Sequence, residues 1–176
     1  GLCSVASGDN ILNVKYGLVN TQGEIVIPII DDSFWGIFEN GYIEARKDGH
    51  GTLLGIDNKP LPGFSWEYDE VRRIHEGYAR FEKNGKYGFL NVNGEIVIPS
   101  IYDFATFFVG GIACVGKVIN GEHKYGGINM KGIQIIPYIY DNIFYFSDGI
   151  ALVEKDNRIG LIDVYGNSTF LPKQQK

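Results

Sequence analysis

Cysteine is scarce in this chain of 176 residues, with two copies, and so are histidine with three, proline with six and methionine with one. Neither Cys3 and Cys114 nor His50, His75 and His123 fall at the short ligand spacings of a zinc site, so no structural metal is expected. Long apolar runs are also missing. Stretches such as Ile133 to Ile136 end within a few residues, against the roughly 20 that a membrane-crossing helix needs, and no membrane insertion is expected. Positive charge is in deficit: 16 Lys and Arg stand against 21 Asp and Glu, a formal net charge of −5. Without a basic field to attract phosphate backbones, nucleic acid is not an expected partner. The chain starts at Gly1 with no charged stretch leading into an apolar one, so it displays no targeting segment, and neither cell surface nor cytoplasm is indicated.

Catalytic signatures are missing as well. No Gly-x-Ser-x-Gly elbow occurs, and the glycine-dense stretch from Gly121 to Gly127 lacks a following helix whose amino terminus would hold phosphates. No catalytic residue and no cofactor is expected, and the chain reads as a protein other than an enzyme.

What is abundant is glycine, with 24 copies, and the aromatic pair Tyr and Phe, with 11 each, a composition of short aromatic strands joined by tight turns. These residues are periodic. Lys86-Tyr87-Gly88-Phe89-Leu90-Asn91-Val92-Asn93-Gly94-Glu95-Ile96-Val97-Ile98-Pro99 repeats the stretch from Lys15 to Pro28 almost residue for residue. Lys124 to Pro137 is a third copy, Arg158 to Pro172 a worn fourth, and Thr52 to Asp57 opens the most divergent. Units therefore start near 15, 52, 86, 124 and 158, with a period of about 36 residues. Residues 1–14 read as the tail of a unit, 158–172 as a partial one and 173–176 as a tail, so that 1–176 forms a single repeat domain. After each Pro come Asp-containing residues, a partly aromatic stretch, and a Gly-led segment such as Gly77-Tyr78-Ala79 or Gly111-Ile112-Ala113.

The unit, an aromatic-Gly pair, a hairpin ending in Gly-Glu-x-x-Ile-Pro-like residues, Tyr-Asp, and Gly-Leu/Ile-Ala-x-Val, resembles the WG repeat, also called the KWG repeat. It departs from that pattern with Tyr in place of Trp at Tyr16, Tyr87 and Tyr125, and loses the pair at Leu53-Leu54. The resemblance covers nearly the whole chain. It implies a repeat module of bacterial proteins whose copies serve for binding, and names no ligand.

Asn84-Gly85 and Asn120-Gly121 join two short runs and predict hairpins, because both turn residues must take positive φ. A second turn at Asn93-Gly94, Gln22-Gly23 or Lys131-Gly132 gives three antiparallel strands per unit, with Pro99 at a strand end or edge. A three-stranded unit cannot bury both faces alone and must stack on its neighbours. The expected fold is all-β, an open tandem array of such units, with a closed propeller-like ring as the competitor.

Comparing the copies separates required positions from variable ones. The recurring Asp32, Asp69, Asp103 and Asp141 read as caps on turn amides, and the recurring Tyr16, Tyr87 and Tyr125 as rings packed over the glycine backbone of a neighbouring strand. Cys3 and Cys114 read as small buried residues. Two and five residues past each Asp the copies are apolar and predict core. Between them lie Trp35-Gly36, Arg72-Arg73, Thr106-Phe107 and Phe144-Tyr145, which vary in size and charge as a packed core would not accept. Trp35, Arg72, Arg73, Phe107, Phe144 and Tyr145 are therefore candidates for a surface that binds a protein or peptide. A cell-surface glycan module is the alternative, with exposure of Tyr87 and Tyr125 as the discriminator. A spacer fragment that self-associates through its strand edges is another.

Overall fold

The computed structural model describes residues 2–8, 14–31, 33–37 and 41–172, with side chains for 3–8, 14–28 and 41–172. Among the described residues eighteen strands form five antiparallel sheets. The first holds β1 (Leu2–Ser7), β2 (Lys15–Asn20) and β3 (Ile25–Asp31), and the second β4 (Ser33–Ile37), β5 (Tyr42–Lys47) and β6 (His50–Gly55). The third is β7 (Glu70–His75), β8 (Tyr78–Lys83), β9 (Lys86–Asn91) and β10 (Ile96–Tyr102). The fourth is β11 (Phe104–Ala105), β12 (Ile112–Ile119), β13 (Glu122–Asn129) and β14 (Gln134–Tyr140). The fifth is β15 (Asn142–Ile143), β16 (Ile150–Lys155), β17 (Arg158–Asp163) and β18 (Ser168–Phe170). Each runs back and forth in chain order, and none closes into a barrel. No helix among the described residues is long and apolar enough to cross a membrane.

The chain is thus the all-β array of antiparallel repeats that the periodicity predicts, with one addition. The last three sheets carry a fourth strand in front of the expected three, so a sheet begins just after the recurring Asp rather than at the Lys-Tyr-Gly segment. In the fourth and fifth sheets that strand is two residues long, too short to leave an alternating pattern in the sequence. In the second sheet the fourth position on the far side of β6 is filled only by a bridge between Leu54 and Pro60.

Local chemistry explains the turns. Asn84 and Gly85 take φ of 55° and 71°, and Asn120 and Gly121 take 53° and 82°, the left-handed pairs that suit the strand twist of a two-residue hairpin. At the second turn the side chain of Asn91 accepts the amides of Asn93 and Glu95 at 2.9 and 3.0 Å, an Asx turn that replaces missing ladder bonds. Asn20, Asn129 and Asp163 repeat it. Pro99 lies in β10, an edge strand, where the register with β9 is interrupted between Ile98 and Tyr102.

The core is divided among the junctions between successive sheets. Leu18 and Ile27 meet Ile43; Tyr42, Leu53, Phe64 and Tyr68 meet Val71, Ala79, Phe81 and Leu90. Phe89, Ile98 and Tyr102 meet Ala105, Phe108, Ala113 and Val115, and Ile112, Cys114, Ile136 and Tyr140 meet Ile143, Phe146, Ala151 and Val153. Strand alternation sends Ala113 and Val115 to the preceding sheet and Ile112 and Cys114 to the following one, so β12 is buried on both faces.

One expectation fails at Cys3, which is exposed, while Cys114 is buried. Cys3 sits opposite Val19 as Ala113 sits opposite Ile128, on the face that in the fourth sheet packs against the preceding one. No other described sheet precedes the first one to cover that position.

Candidate functional site

The sheets are joined by the residues that precede their first strands. Asp103 leads into β11. One of its carboxylate oxygens accepts from the ammonium of Lys86 in the sheet before, and the other accepts the amide of Val118 at 3.1 Å. Asp141 does the same with Lys124 at 2.7 Å and the amide of Asp156 at 2.8 Å. Asp69 accepts the amide of Asn84 at 2.6 Å. These carboxylates hold hairpin turns and sheet junctions. Asp32 lies outside the described residues.

The recurring tyrosines are half-buried at these junctions. The Tyr125 ring lies against Gly116, the residue opposite it on β12, and meets the edge of Phe104 at 5.6 Å. The Tyr87 ring is covered by the guanidinium of Arg80 at 5.0 Å.

Past each Asp, the two variable positions part company. Arg72 turns inward along the sheet, with its guanidinium 2.6 Å from Glu70 and 3.4 Å from Glu44. Thr106 donates to the carbonyl of Phe107 at 3.0 Å and accepts the amide of Cys114 at 3.0 Å. Phe144 is half-exposed. The position that follows does otherwise: Arg73, Phe107 and Tyr145, from three successive sheets, line one cleft of about 330 Å³. Of the six candidates, then, three come together; Arg72 and Phe144 lie outside the cleft, and the side chain of Trp35 lies outside the described residues. The cleft is completed by His75, Arg80, Phe104, Ala105, Thr106 and Val109. Its volume is at the small end of the range for ligand pockets.

Phe107 is the centre of this arrangement. The guanidiniums of Arg73 and Arg80 lie 5.2 and 5.1 Å from its ring centroid, and the His75 ring lies 6.3 Å away. Both cations fall within the distance at which the ring quadrupole attracts them. His75 is itself held through Nδ1 by the carbonyl of Phe108 at 2.7 Å. Arg80 donates to the carbonyl of Ala105 at 2.7 Å and lies 3.3 Å from Glu70, while its Nε is buried without a partner.

Arg80 was not singled out from the sequence, although the same comparison of copies points to it. Three residues past the leading Gly of each unit stand Glu44, Arg80, Cys114 and Leu152, as variable a set as the one chosen. The first three each reach the start of the next sheet: Glu44 accepts the amide of Arg73 in β7, Arg80 donates to Ala105 in β11, and the Cys114 thiol lies 3.4 Å from the carbonyl of Phe144, the residue just past β15. Burial raises the Glu44 carboxyl above the usual glutamate range, against the opposing pull of the Arg73 amide and the Arg72 charge. Burial likewise pushes the Cys114 thiol up to about 12, leaving little thiolate.

Among the described residues no cluster of three or more His, Cys, Asp and Glu is placed to hold a metal ion. Exposed apolar residues recur on the outer edge strands, with Ile25 on β3, Ile96, Val97 and Ile101 on β10, and Ile135 and Ile139 on β14.

Stacked antiparallel sheets, one per repeat, with a cleft built from equivalent positions of adjacent units, define a tandem β-repeat protein. The family profile described as "WG containing repeat" matches residues 16–49, 67–87, 87–117 and 125–158, and the chain belongs to that family. No curated protein matches it. Among solved structures it is similar to one titled "Crystal structure of the tricorn protease", at 12% identity and a TM-score of 0.42. That similarity takes in 99% of this chain and 22% of the other, so the chain spans less than a quarter of the length of that protein.

Proposed function

We propose that this chain is a non-enzymatic interaction module that binds a protein or peptide segment through the cleft around Phe107. The observation that carries this reading is the convergence of Arg73, Phe107 and Tyr145 from three sheets onto one concave surface. Arg and large aromatic side chains dominate the energy of protein interfaces when they cluster in a pocket. Family membership supports a repeat module, and repeat arrays supply extended surfaces more readily than single reactive centres. The glycan alternative gains no support from the two tyrosines named as its discriminator, because both are half-buried, Tyr87 under Arg80 and Tyr125 against Gly116 and Phe104.

The test is selection of a random dodecapeptide display library on the purified chain, beside a variant carrying Arg73→Ala, Phe107→Ala and Tyr145→Ala. Peptides enriched on the parent and lost on the variant, with melting temperature kept, are the expected result. Enriched peptides that bind the variant equally well place binding elsewhere, and no enrichment at all favours a spacer.

A further inference from the structure

The two ends of the stack of sheets are unlike its middle. One position recurs opposite the third residue past each leading Gly: Leu18, Leu53, Phe89, Gly127 and Leu161 face Ser4, Glu44, Arg80, Cys114 and Leu152 across the strand pairs. Leu18, Leu53 and Phe89 are 1%, 0% and 1% exposed, each buried in the junction with the sheet that follows. Leu161 is 50% exposed. Ile150 repeats the contrast, for its counterparts Tyr42 and Ile112 are buried while it is half-exposed. Strand alternation puts Leu152 and Ile159 on the same side, so the fifth sheet turns four half-exposed aliphatic side chains outward where the earlier sheets pack on a neighbour. Apolar groups gathered in water in this way mark an interaction surface.

The other end carries the matching half. Two residues past each leading Gly stand Cys3, Ile43, Ala79, Ala113 and Ala151, and the last four are buried against the sheet before them. Cys3 is exposed, with Val5 and Val19 half-buried on the same face. Each of the four junctions within the chain sets the following side of one sheet on the preceding side of the next, and none joins like to like. The fifth sheet offers one half of a junction already built four times, and the first sheet offers the other.

We propose that the exposed face of the fifth sheet seats the first sheet of a second copy of this chain, so that copies join head to tail through a junction of the kind found within each. The occupant follows from continuity with the internal junctions: a face that takes the preceding side of a repeat is met, among the described residues, by the uncovered preceding side of the first sheet. Burial of the four aliphatic side chains drives the contact. It is heterologous, using a different surface on each partner, so an open assembly keeps a free face at both ends. It does not depend on the peptide-binding reading, whose cleft is built from other residues.

Sedimentation velocity of the full chain over a concentration series reads the association, with reductant present so that Cys3 cannot link copies covalently. The expected result is a mean sedimentation coefficient that climbs with concentration. Leu161→Lys and, separately, Ile150→Lys are expected to weaken association about tenfold or more while keeping the melting temperature, since both side chains are half-exposed in the single chain. Cys3→Arg, at the opposite end, is expected to do the same. An equimolar mixture of Leu161→Lys, which keeps its first sheet intact, and Cys3→Arg, which keeps its fifth, is expected to form dimers that grow no further. Association that survives Cys3→Arg means that two fifth sheets pair with each other and overturns the head-to-tail contact. Association that survives both lysine variants places it on the strand edges and overturns the face altogether. A chain that stays monomeric at every concentration overturns the second copy as the occupant, and slow reaction of Cys3 in that monomer would show its own first sheet closing on the fifth.

Discussion

Lys124 Nζ lies 2.7 Å from Asp141 Oδ1, a bond that crosses from the third strand of one sheet to the residue that opens the next. The other oxygen of the same carboxylate accepts the amide of Asp156 at the hairpin turn of its own sheet. One side chain thus fixes a turn and a junction together, and Lys86 with Asp103 repeats the arrangement one unit earlier.

Lys124 also lies 2.9 Å from the exposed carboxylate of Glu122, but only the aspartate holds a backbone amide, so Asp141→Ala, which leaves the Asp156 amide unmet, is expected to cost more stability than Lys124→Ala. The loss at the aspartate is about 1 kcal/mol or somewhat more, the usual cost of an unmet hydrogen bond with partial water access. Urea unfolding of the two variants measures it; equal losses would show that the turn amide contributes nothing.

Acid should reach these same bonds. The Lys86 ammonium first, and then the Val118 amide, hold the Asp103 carboxyl below the usual aspartate range; Lys124 and the Asp156 amide do so for Asp141. A depressed native pKa means fewer protons bound when folded, so the stability is present above about pH 4 and is lost as pH falls through the native values. Glu44 has the opposite sign: its raised pKa favours the folded state at low pH, and that contribution is lost as pH rises through its native value. Urea midpoints against pH are expected to show Asp103→Asn with a shallower acid limb. For Glu44→Gln, stability relative to the parent is expected to rise as pH is raised from about 4 towards neutrality. A Glu44→Gln difference that is flat over that range contradicts the buried carboxyl.

The two thiols should react differently. Cys3 is exposed, while Cys114 is buried with its thiol pushed up to about 12. An aromatic disulfide reagent at mildly alkaline pH is expected to titrate one thiol in the folded chain and the second only in urea, since the thiolate is the reacting form. Two fast thiols would mean that the junction between the fourth and fifth sheets opens readily.

Gly94 and Gly23 occupy the same turn position with φ of 76° and 82°. A Cβ on Gly23 meets nothing within 4 Å, whereas one on Gly94 falls 2.2 Å from the backbone of Gly63 in the loop before the third sheet. Gly23→Ala is expected to cost about 1 kcal/mol of left-handed strain, and Gly94→Ala about 3 kcal/mol or more, because the loop backbone must move as well. Thermal melts of the pair isolate the contact from the strain.

Phe108 and Tyr145 offer a contrast between core and surface. Phe108 is 1% exposed and packs its ring at a tilt against Phe89 and Tyr78, with centroids at 4.6 and 5.1 Å, so Phe108→Ala should cost about 3 to 5 kcal/mol. Tyr145 is 72% exposed, and Tyr145→Ala should stay within about 0.5 kcal/mol of the parent. A Tyr145→Ala variant that melts far below the parent would assign that ring a structural role in place of a binding one.

Much of this architecture could be read in the sequence, because each unit solves the same local problem with the same residues. Asn84-Gly85 can make one kind of hairpin, Gly94 tolerates one kind of turn, and the alternation around Ala79 and Phe81 places one face inward whatever lies beyond it. Copies within one chain also mark which positions vary, and Arg73, Phe107 and Tyr145 emerged that way. The cleft itself did not, because Arg80 stands seven residues from Arg73 on another strand, and Tyr145 belongs to a third sheet. Strand period, turn chemistry and the repeat were determined by neighbours in sequence. The partners of Asp103 and Asp141, the two-residue strands β11 and β15, and the meeting of two guanidiniums on Phe107 were decided by how far each sheet turns as it packs on the last, which side-chain volumes at the junctions settle and no single unit encodes.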